Sequence, residues 1–360
     1  MNVKIKFRFF LFLLLVCGCN KQSESLSYNE SILNQNIDGY SRDMYIHNDT
    51  LFVVNEDEGL LIYTLDTANQ SIELNLIYSD FAFYSEKGWN LSGVLFSEEF
   101  DNIYLLDKFY CTYFENLTEV LDDNAIYQPL QCAADNHHSS KFTINNGGTD
   151  VGIFTLIRKV SGLSTSDVSS IYQNKWFEGY GFGSGDLLVL DSLNYNLTDV
   201  HYMNQKLIIS NTNESTPEFQ FYNIRTVTGD YADILTLVDT IATPATPNAL
   251  YSAGDTLFMG MDEHAGVKIY NFDYADNVEE ISWIATGFSV KEIYWDPSSR
   301  LLLLSCGYQG VVVVELNENM QEIDSWVLNT SYAYAARNYR GNIIVATRKG
   351  LDIITLNNNQ

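Results

Sequence analysis

Two stretches of this chain say nearly the same thing. DTLFVVNEDEGLLIYTLD runs from Asp49 to Asp66, and DTLFMGMDEHAGVKIYNFD from Asp255 to Asp273. Each opens on the same four residues, carries a short apolar strand into an acidic turn, meets a Gly and leaves on a second apolar strand near Ile-Tyr. An internal repeat constrains a fold more than composition does, because each copy must bury its apolar faces against its neighbours.

The phrase can be followed along the chain as strand, polar turn, very apolar strand, Gly- or Asx-bearing turn and third strand. It returns in Asp199 to Ile224, Lys291 to Leu316 and Tyr334 to Leu356. With Tyr45 as marker, the equivalent positions fall at His201, Tyr251, Tyr294 and Ala336, in steps of 50, 43 and 42. Two worn copies lie earlier, Ser92 to Phe114 with its marker at Leu95, and Ser139 to Lys159, which takes its first strand from Leu130 to Ala134. A long interval separates the third copy from the fourth. Strand-rich units at a period of about 40–50 residues are the signature of a β-propeller, whose blades are four-stranded antiparallel sheets. Runs such as LLLL, VVVV and NIIV are those of strands buried on both faces. The turns DEG, HAG, YQG and RKG place Gly where a tight hairpin needs positive φ. No stretch sustains a helical period.

The expected fold is therefore all-β: one propeller over residues 27–360, with seven blades countable and six to eight allowed by the spacing. The last copy stops after its third strand, so ESILNQN, just before the first copy, is expected to supply the missing outer strand and close the molecule.

The chain begins MNVKIKFRFFLFLLLVCGCN. Lys4, Lys6 and Arg8 precede an apolar core, Phe9 to Val16, that is far short of the roughly 20 residues needed to span a bilayer. It reads as an export leader over residues 1–18. Val16-Cys17-Gly18-Cys19 resembles a bacterial lipobox, which implies a lipid on Cys19, a polar tether over 19–26 and a membrane attachment without a spanning helix. The formal net charge of −26 repels nucleic acid and anionic headgroups, so neither is an expected partner. Cys111 and Cys132 lie in a compartment that permits disulfides, and a bridge is feasible if their Cα atoms come within about 7 Å. Cys306, within LLLLSCGYQG, reads as a small buried hydrophobe.

The units GLLIYTLD, GVKIYNFD and GVVVVELN resemble those of the LVIVD-repeat β-propellers of bacterial surface and secreted proteins. The resemblance covers most of Arg42 to Leu356 and is clear in five of seven units. It implies binding and scaffolding roles with no shared catalytic set. The leader, with the Asn- and Tyr-rich composition, resembles an envelope lipoprotein of the Bacteroidota.

Candidate binding residues fall in two groups. In a propeller, the turns between second and third strands gather on one face. Here they carry Glu56, Asp57 and Glu58, and Asp262, Glu263 and His264. Converging carboxylates suit a hard cation, but none has the D-x-D-x-D-G spacing of a calcium loop, so no metal and no cofactor is expected. The second group is NKWFEGYGFGSGD, Asn174 to Asp186, read as an extended loop. There Trp176, Phe177, Tyr180 and Phe182 interleave with glycines and could stack on sugar rings or clamp a peptide. His201 is placed in an innermost strand, while His47, His137 and His138 fall in first turns. No catalytic fingerprint occurs. The expectation is a non-enzymatic binding scaffold or accessory subunit of an outer-membrane assembly, partnered by another envelope protein. The alternatives are capture of a glycan or peptide for uptake and, behind that, a lyase or hydrolase site in the channel at His201.

Overall fold

The computed structural model describes residues 31–37, 39–56, 58–66, 73–80, 90–97, 101–107, 111–121, 128–132, 137–145, 152–159, 169–177, 181–182, 186–188, 196–212, 217–225, 234–272 and 277–356. The leader, Cys19, the tether, Asp57 and Tyr180 lie outside them. Within the described residues the chain is almost entirely β, in seven antiparallel sheets. The one described helix is the single turn Leu117–Leu121.

Sheet 1 holds Ser41–His47, Thr50–Asn55, Gly59–Asp66 and Glu73–Asp80. Sheet 2 holds Leu91–Ser97, Asn102–Asp107, Cys111–Asn116 and Gln128–Cys132. Sheet 3 has His137–Asn145, Gly152–Lys159 and Ser169–Phe177, the last paired with both Gly181–Phe182 and Asp186–Leu188. Sheets 4 and 5 are Asn196–Met203, Lys206–Thr212, Pro217–Arg225, Ile234–Ala242 and Pro247–Ala253, Thr256–Met261, Gly266–Phe272, Val278–Ile284. Sheet 6 holds Glu292–Asp296, Leu301–Ser305, Val311–Leu316 and Glu322–Leu328. Sheet 7 takes Ala333–Tyr339, Asn342–Thr347 and Gly350–Thr355 from the end of the chain and Ser31–Asn36 from its start, paired antiparallel from Ser31 opposite Thr355 to Asn36 opposite Gly350.

The core lies between the sheets rather than beneath them. Six apolar clusters each draw on two neighbours: sheets 7 and 1, 1 and 2, 3 and 4, 4 and 5, 5 and 6, and 6 and 7. Sheets 2 and 3 meet where Gly93 leaves room for the Phe142 ring, which a Cβ there would approach to 2.9 Å. This is why LLLL and NIIV carry no polar alternation: all five residues of Leu301–Ser305 and all six of Asn342–Thr347 are buried. The hairpin glycines have the expected conformation, with φ of 79° at Gly59, 80° at Gly266, 82° at Gly310 and 100° at Gly350.

Several expectations need correction. The third unit is shifted by a strand: Gln128–Cys132 is the outer strand of sheet 2, and His137–Asn145 is the first strand of sheet 3. His137 and His138 therefore begin a strand and His47 ends one; none sits in a turn. In sheet 7 the position equivalent to Tyr45 is Arg337, not Ala336, since Tyr45 opposes Phe52 two residues before its hairpin and Arg337 opposes Ile344 likewise. Trp176 and Phe177 are not in an extended loop but close a nine-residue strand, and Trp176 stands directly opposite Phe182 on the neighbouring strand.

Candidate functional site

Six of the seven first strands carry a β-bulge at the same place, between Ser41 and Asp43, Leu91 and Gly93, Ser139 and Lys141, Leu197 and Asp199, Pro247 and Ala249, and Ala333 and Ala335. A bulge re-aims the residues that follow it. Here positions one and three beyond the extra residue, with Glu292 and Tyr294 of the unbulged first strand of sheet 6, line a central cavity of about 310 Å³, with Asp43, Lys141, Asp199 and Glu292 at one level and Tyr45, His201, Tyr251, Tyr294 and Arg337 at the next.

The polar groups in this cavity fasten one sheet to the next. Asp43 accepts from its neighbour Met44 N–H at 2.8 Å and from Val94 N–H of sheet 2 at 3.2 Å. Asp199 repeats the pattern, accepting from Val200 and, in sheet 5, from Leu250, both at 2.8 Å. Thr143 accepts from the Tyr202 amide of sheet 4 at 3.1 Å, and His201 Nε2 lies 2.7 Å from Ser252 Oγ of sheet 5. Arg337 of sheet 7 reaches both ways, to Glu292 of sheet 6 at 2.5 Å and to Asp43 of sheet 1 at 3.4 Å.

Burial sets the ionisation of these groups. It pushes the Asp43 carboxyl up to about 6, against the pull of Arg337 and with the help of Glu292. Burial, together with the Lys141 ammonium, takes His201 down to about 4, so its imidazole is neutral near pH 7. The Lys141 ammonium stands 3.9 Å from Asp199. His201 is thus a neutral imidazole hydrogen-bonded to a Ser hydroxyl of the next sheet.

The acidic turns do gather beside the lead-ins to the first strands: Glu56 N–H bonds to Tyr40 C=O and Asp262 N–H to Thr246 C=O. Among the described residues, each acidic turn is held by a cation beside it: Glu56 by Arg42 and Asp262 by Lys291. Glu56 grips Arg42 with both oxygens, at 2.7 and 2.8 Å. Burial works to raise Asp262, but the polar groups around it, Ser289, Asn248 and above all the Lys291 ammonium that donates to both its oxygens at 3.2 Å, outweigh burial and hold the group at about 2. Glu263 and His264 form the left-handed corner of their hairpin, at φ 54° and 65°. Among the described residues no three His, Cys, Asp or Glu side chains are grouped to hold a metal ion.

A cluster that sequence reasoning missed lies on this same face, across sheets 6, 7 and 1. Tyr308 and Arg348 come from hairpin turns, Tyr332 and Tyr40 immediately precede the first strands of sheets 7 and 1, and Tyr334 and Arg42 are the second residues of those strands. The Arg348 guanidinium lies over Tyr332, Tyr308 and Tyr40, at 4.3, 4.8 and 5.8 Å from their ring centroids. A signal for it existed, because Tyr40-Ser41-Arg42 and Tyr332-Ala333-Tyr334 align: Tyr40 with Tyr332 ahead of the strand, and Arg42 with Tyr334 as the extra residue of the bulge.

No family model matches the chain, and no curated relative does. Solved structures do. A chain in the crystal structure of the mitotic checkpoint complex superposes with a TM-score of 0.59 at 10% identity, covering 90% of each chain. The computationally designed Ika8 protein superposes with a TM-score of 0.56 at 8% identity, covering 90% of this chain and 98% of its own. Such low identity speaks to fold alone, and the fold is propeller-like.

Proposed function

We propose that this chain is a lipid-anchored envelope protein that serves as a non-enzymatic binding scaffold or accessory subunit of an outer-membrane assembly. In this reading residues 1–18 are an export leader, Cys19 bears the lipid, a tether runs to residue 26, and the seven sheets are seven blades of one propeller closed by Ser31–Asn36. The likeness of its units to LVIVD repeats supports the same role.

The observation that carries the reading is the chemistry of the channel. Its acids and bases are tied across sheet boundaries: Asp43 to Val94, Asp199 to Leu250, His201 to Ser252, and Arg337 to both Glu292 and Asp43. Groups committed to neighbouring sheets rigidify a platform, which is what a scaffold needs and what a proton-transfer site does not. Loops on such a platform are then available for binding.

The test is to isolate the lipidated protein from its own membranes in mild detergent and identify what stays bound by mass spectrometry. A stoichiometric envelope partner is expected, and Cys19→Ala should release the protein from the membrane fraction. A clean monomer that instead turns over a substrate, with activity lost in His201→Ala, would defeat the scaffold reading.

A further inference from the structure

The geometry points to the tyrosine–arginine face of sheets 6, 7 and 1 as a docking surface for an acidic segment of a protein partner. This rests on the scaffold reading above and adds where the partner sits and what it presents.

Charge carries the argument. The molecule has a formal net charge of −26, yet this face presents two guanidinium groups among four tyrosines. Arg42 is neutralised by Glu56. Arg348 is not matched in the same way. Its Nε donates to the Tyr334 hydroxyl at 3.2 Å and its Nη1 to the Tyr308 hydroxyl, and both partners are uncharged. Among the described residues no carboxylate forms an ion pair with Arg348. The two phenols fix the guanidinium in place without cancelling its charge, so it is pre-organised for an incoming carboxylate.

Exposure and ring geometry define the rest of the ligand. Tyr308 is 69% exposed and Tyr40 42%. Tyrosine and arginine are the residues that most often anchor protein interfaces. The rings do not form a flat ledge: Tyr308 meets Tyr332 edge to face at 84°, and Tyr332 meets Tyr334 at 45°. A sugar stacks on an open, level ring face, whereas notches between steeply angled rings suit branched side chains. The fitting occupant is a peptide segment that alternates carboxylates with apolar side chains, one carboxylate on Arg348 and a neighbouring apolar group against the exposed side of the Tyr308 ring, in the angle it makes with Tyr332.

The experiment uses the full chain and three labelled probes: a short peptide alternating Glu and Leu, the same peptide with Gln for Glu, and an oligogalacturonate. Binding is read by fluorescence anisotropy. The Glu–Leu peptide should bind, weaken as salt rises, and lose about tenfold or more in affinity in Arg348→Glu and again in Tyr308→Ala. The Gln peptide should not bind. Unchanged melting temperatures in both variants would show that the face, not the fold, was altered. No binding of the Glu–Leu peptide, or binding indifferent to both substitutions, overturns the proposal. Binding of the oligogalacturonate in its place, lost in Arg348→Glu, overturns it in favour of a glycan site. Repeating the detergent isolation with Arg348→Glu separates the two readings: a partner retained by the variant leaves the scaffold standing and removes this surface from it, whereas no partner in either form removes the scaffold.

Discussion

Arg337 serves two carboxylates, Glu292 from the sheet before it and Asp43 from the sheet after. One positive and two negative charges leave an excess anion among half-buried side chains, and the cost falls on Asp43, whose carboxyl rises to about 6, chiefly through desolvation. An unfolded Asp titrates near 3.9. A folded value above the unfolded one means that Asp43 contributes stability below about pH 3.9 and that this is lost as pH rises through about 6. At pH 8 its charge costs on the order of 3 kcal/mol. Asp43→Asn keeps an oxygen for one of the two amides and removes the excess charge. Denaturant titrations should therefore find the variant more stable than wild type at pH 8, with the gap narrowing toward pH 4. A variant less stable at pH 8 would mean that the carboxylate is a net gain. Arg337→Met is the opposite experiment. It strands two carboxylates, so it should cost about 3–5 kcal/mol at pH 8 and less at pH 5, where Asp43 can take up a proton.

At the level of elements, glycine and cysteine make separate predictions. Gly266 has φ 80°, and a Cβ there would lie 2.1 Å from the Ile284 carbonyl oxygen. Gly254 also has positive φ, 57°, but open space around it. Thermal melts should show Gly266→Ala losing more than Gly254→Ala, which carries only the left-handed penalty of about 1 kcal/mol. Equal losses would show that the carbonyl yields. Cys111 and Cys132 stand directly opposite each other on the third and fourth strands of sheet 2. Opposed residues of an antiparallel pair have Cα atoms about 4.5–5.5 Å apart, inside the range a disulfide spans. A non-reducing peptide map of the protein, purified without reductant, should recover the two joined, and reduction should cost about 3 kcal/mol. Free alkylation of both in the unreduced native protein would refute the bridge. The strands around these residues were legible because two-sided burial leaves unbroken apolar runs such as LFVV and VVVV. His137–Asn145 was misassigned because HHSSKFTIN has no such run, and the segment ending in Trp176-Phe177 because glycines interleaved with aromatics read as a loop. In both, pairing with neighbouring strands decided what local preference did not.

For the whole molecule, the repeat was readable and the face it builds was not. Tyr308 and Arg348 were visible as turn residues, but their meeting with Tyr40 and Arg42 depends on the last sheets lying beside the first, and that adjacency is made by the two ends of the chain. Ser31–Asn36 completes sheet 7 by pairing with Gly350–Thr355, and one apolar cluster joins sheets 7 and 1, with Met44, Leu51 and Leu61 against Ile344, Leu351 and Ile353. Without the first strand, Gly350–Thr355 becomes an open edge, a template for pairing with another chain. Deleting Ser31–Asn36 should lower the melting temperature and produce concentration-dependent aggregation, read by light scattering. The loss should also be repairable. A covalently attached strand acts at an effective concentration in the millimolar range, so the separate peptide SILNQN at about millimolar concentration should restore part of the stability. A scrambled peptide should not, because the register places Ile32 opposite Ile354 and Leu33 opposite Ile353. If the deletion leaves the melting curve unchanged, pairing through the chain's ends contributes nothing, and the apolar cluster between sheets 7 and 1 alone holds the first and last sheets together. If the peptide rescues both the melting curve and the acidic-peptide binding assigned to the tyrosine–arginine face, the same closing strand that completes the fold also aligns the binding surface.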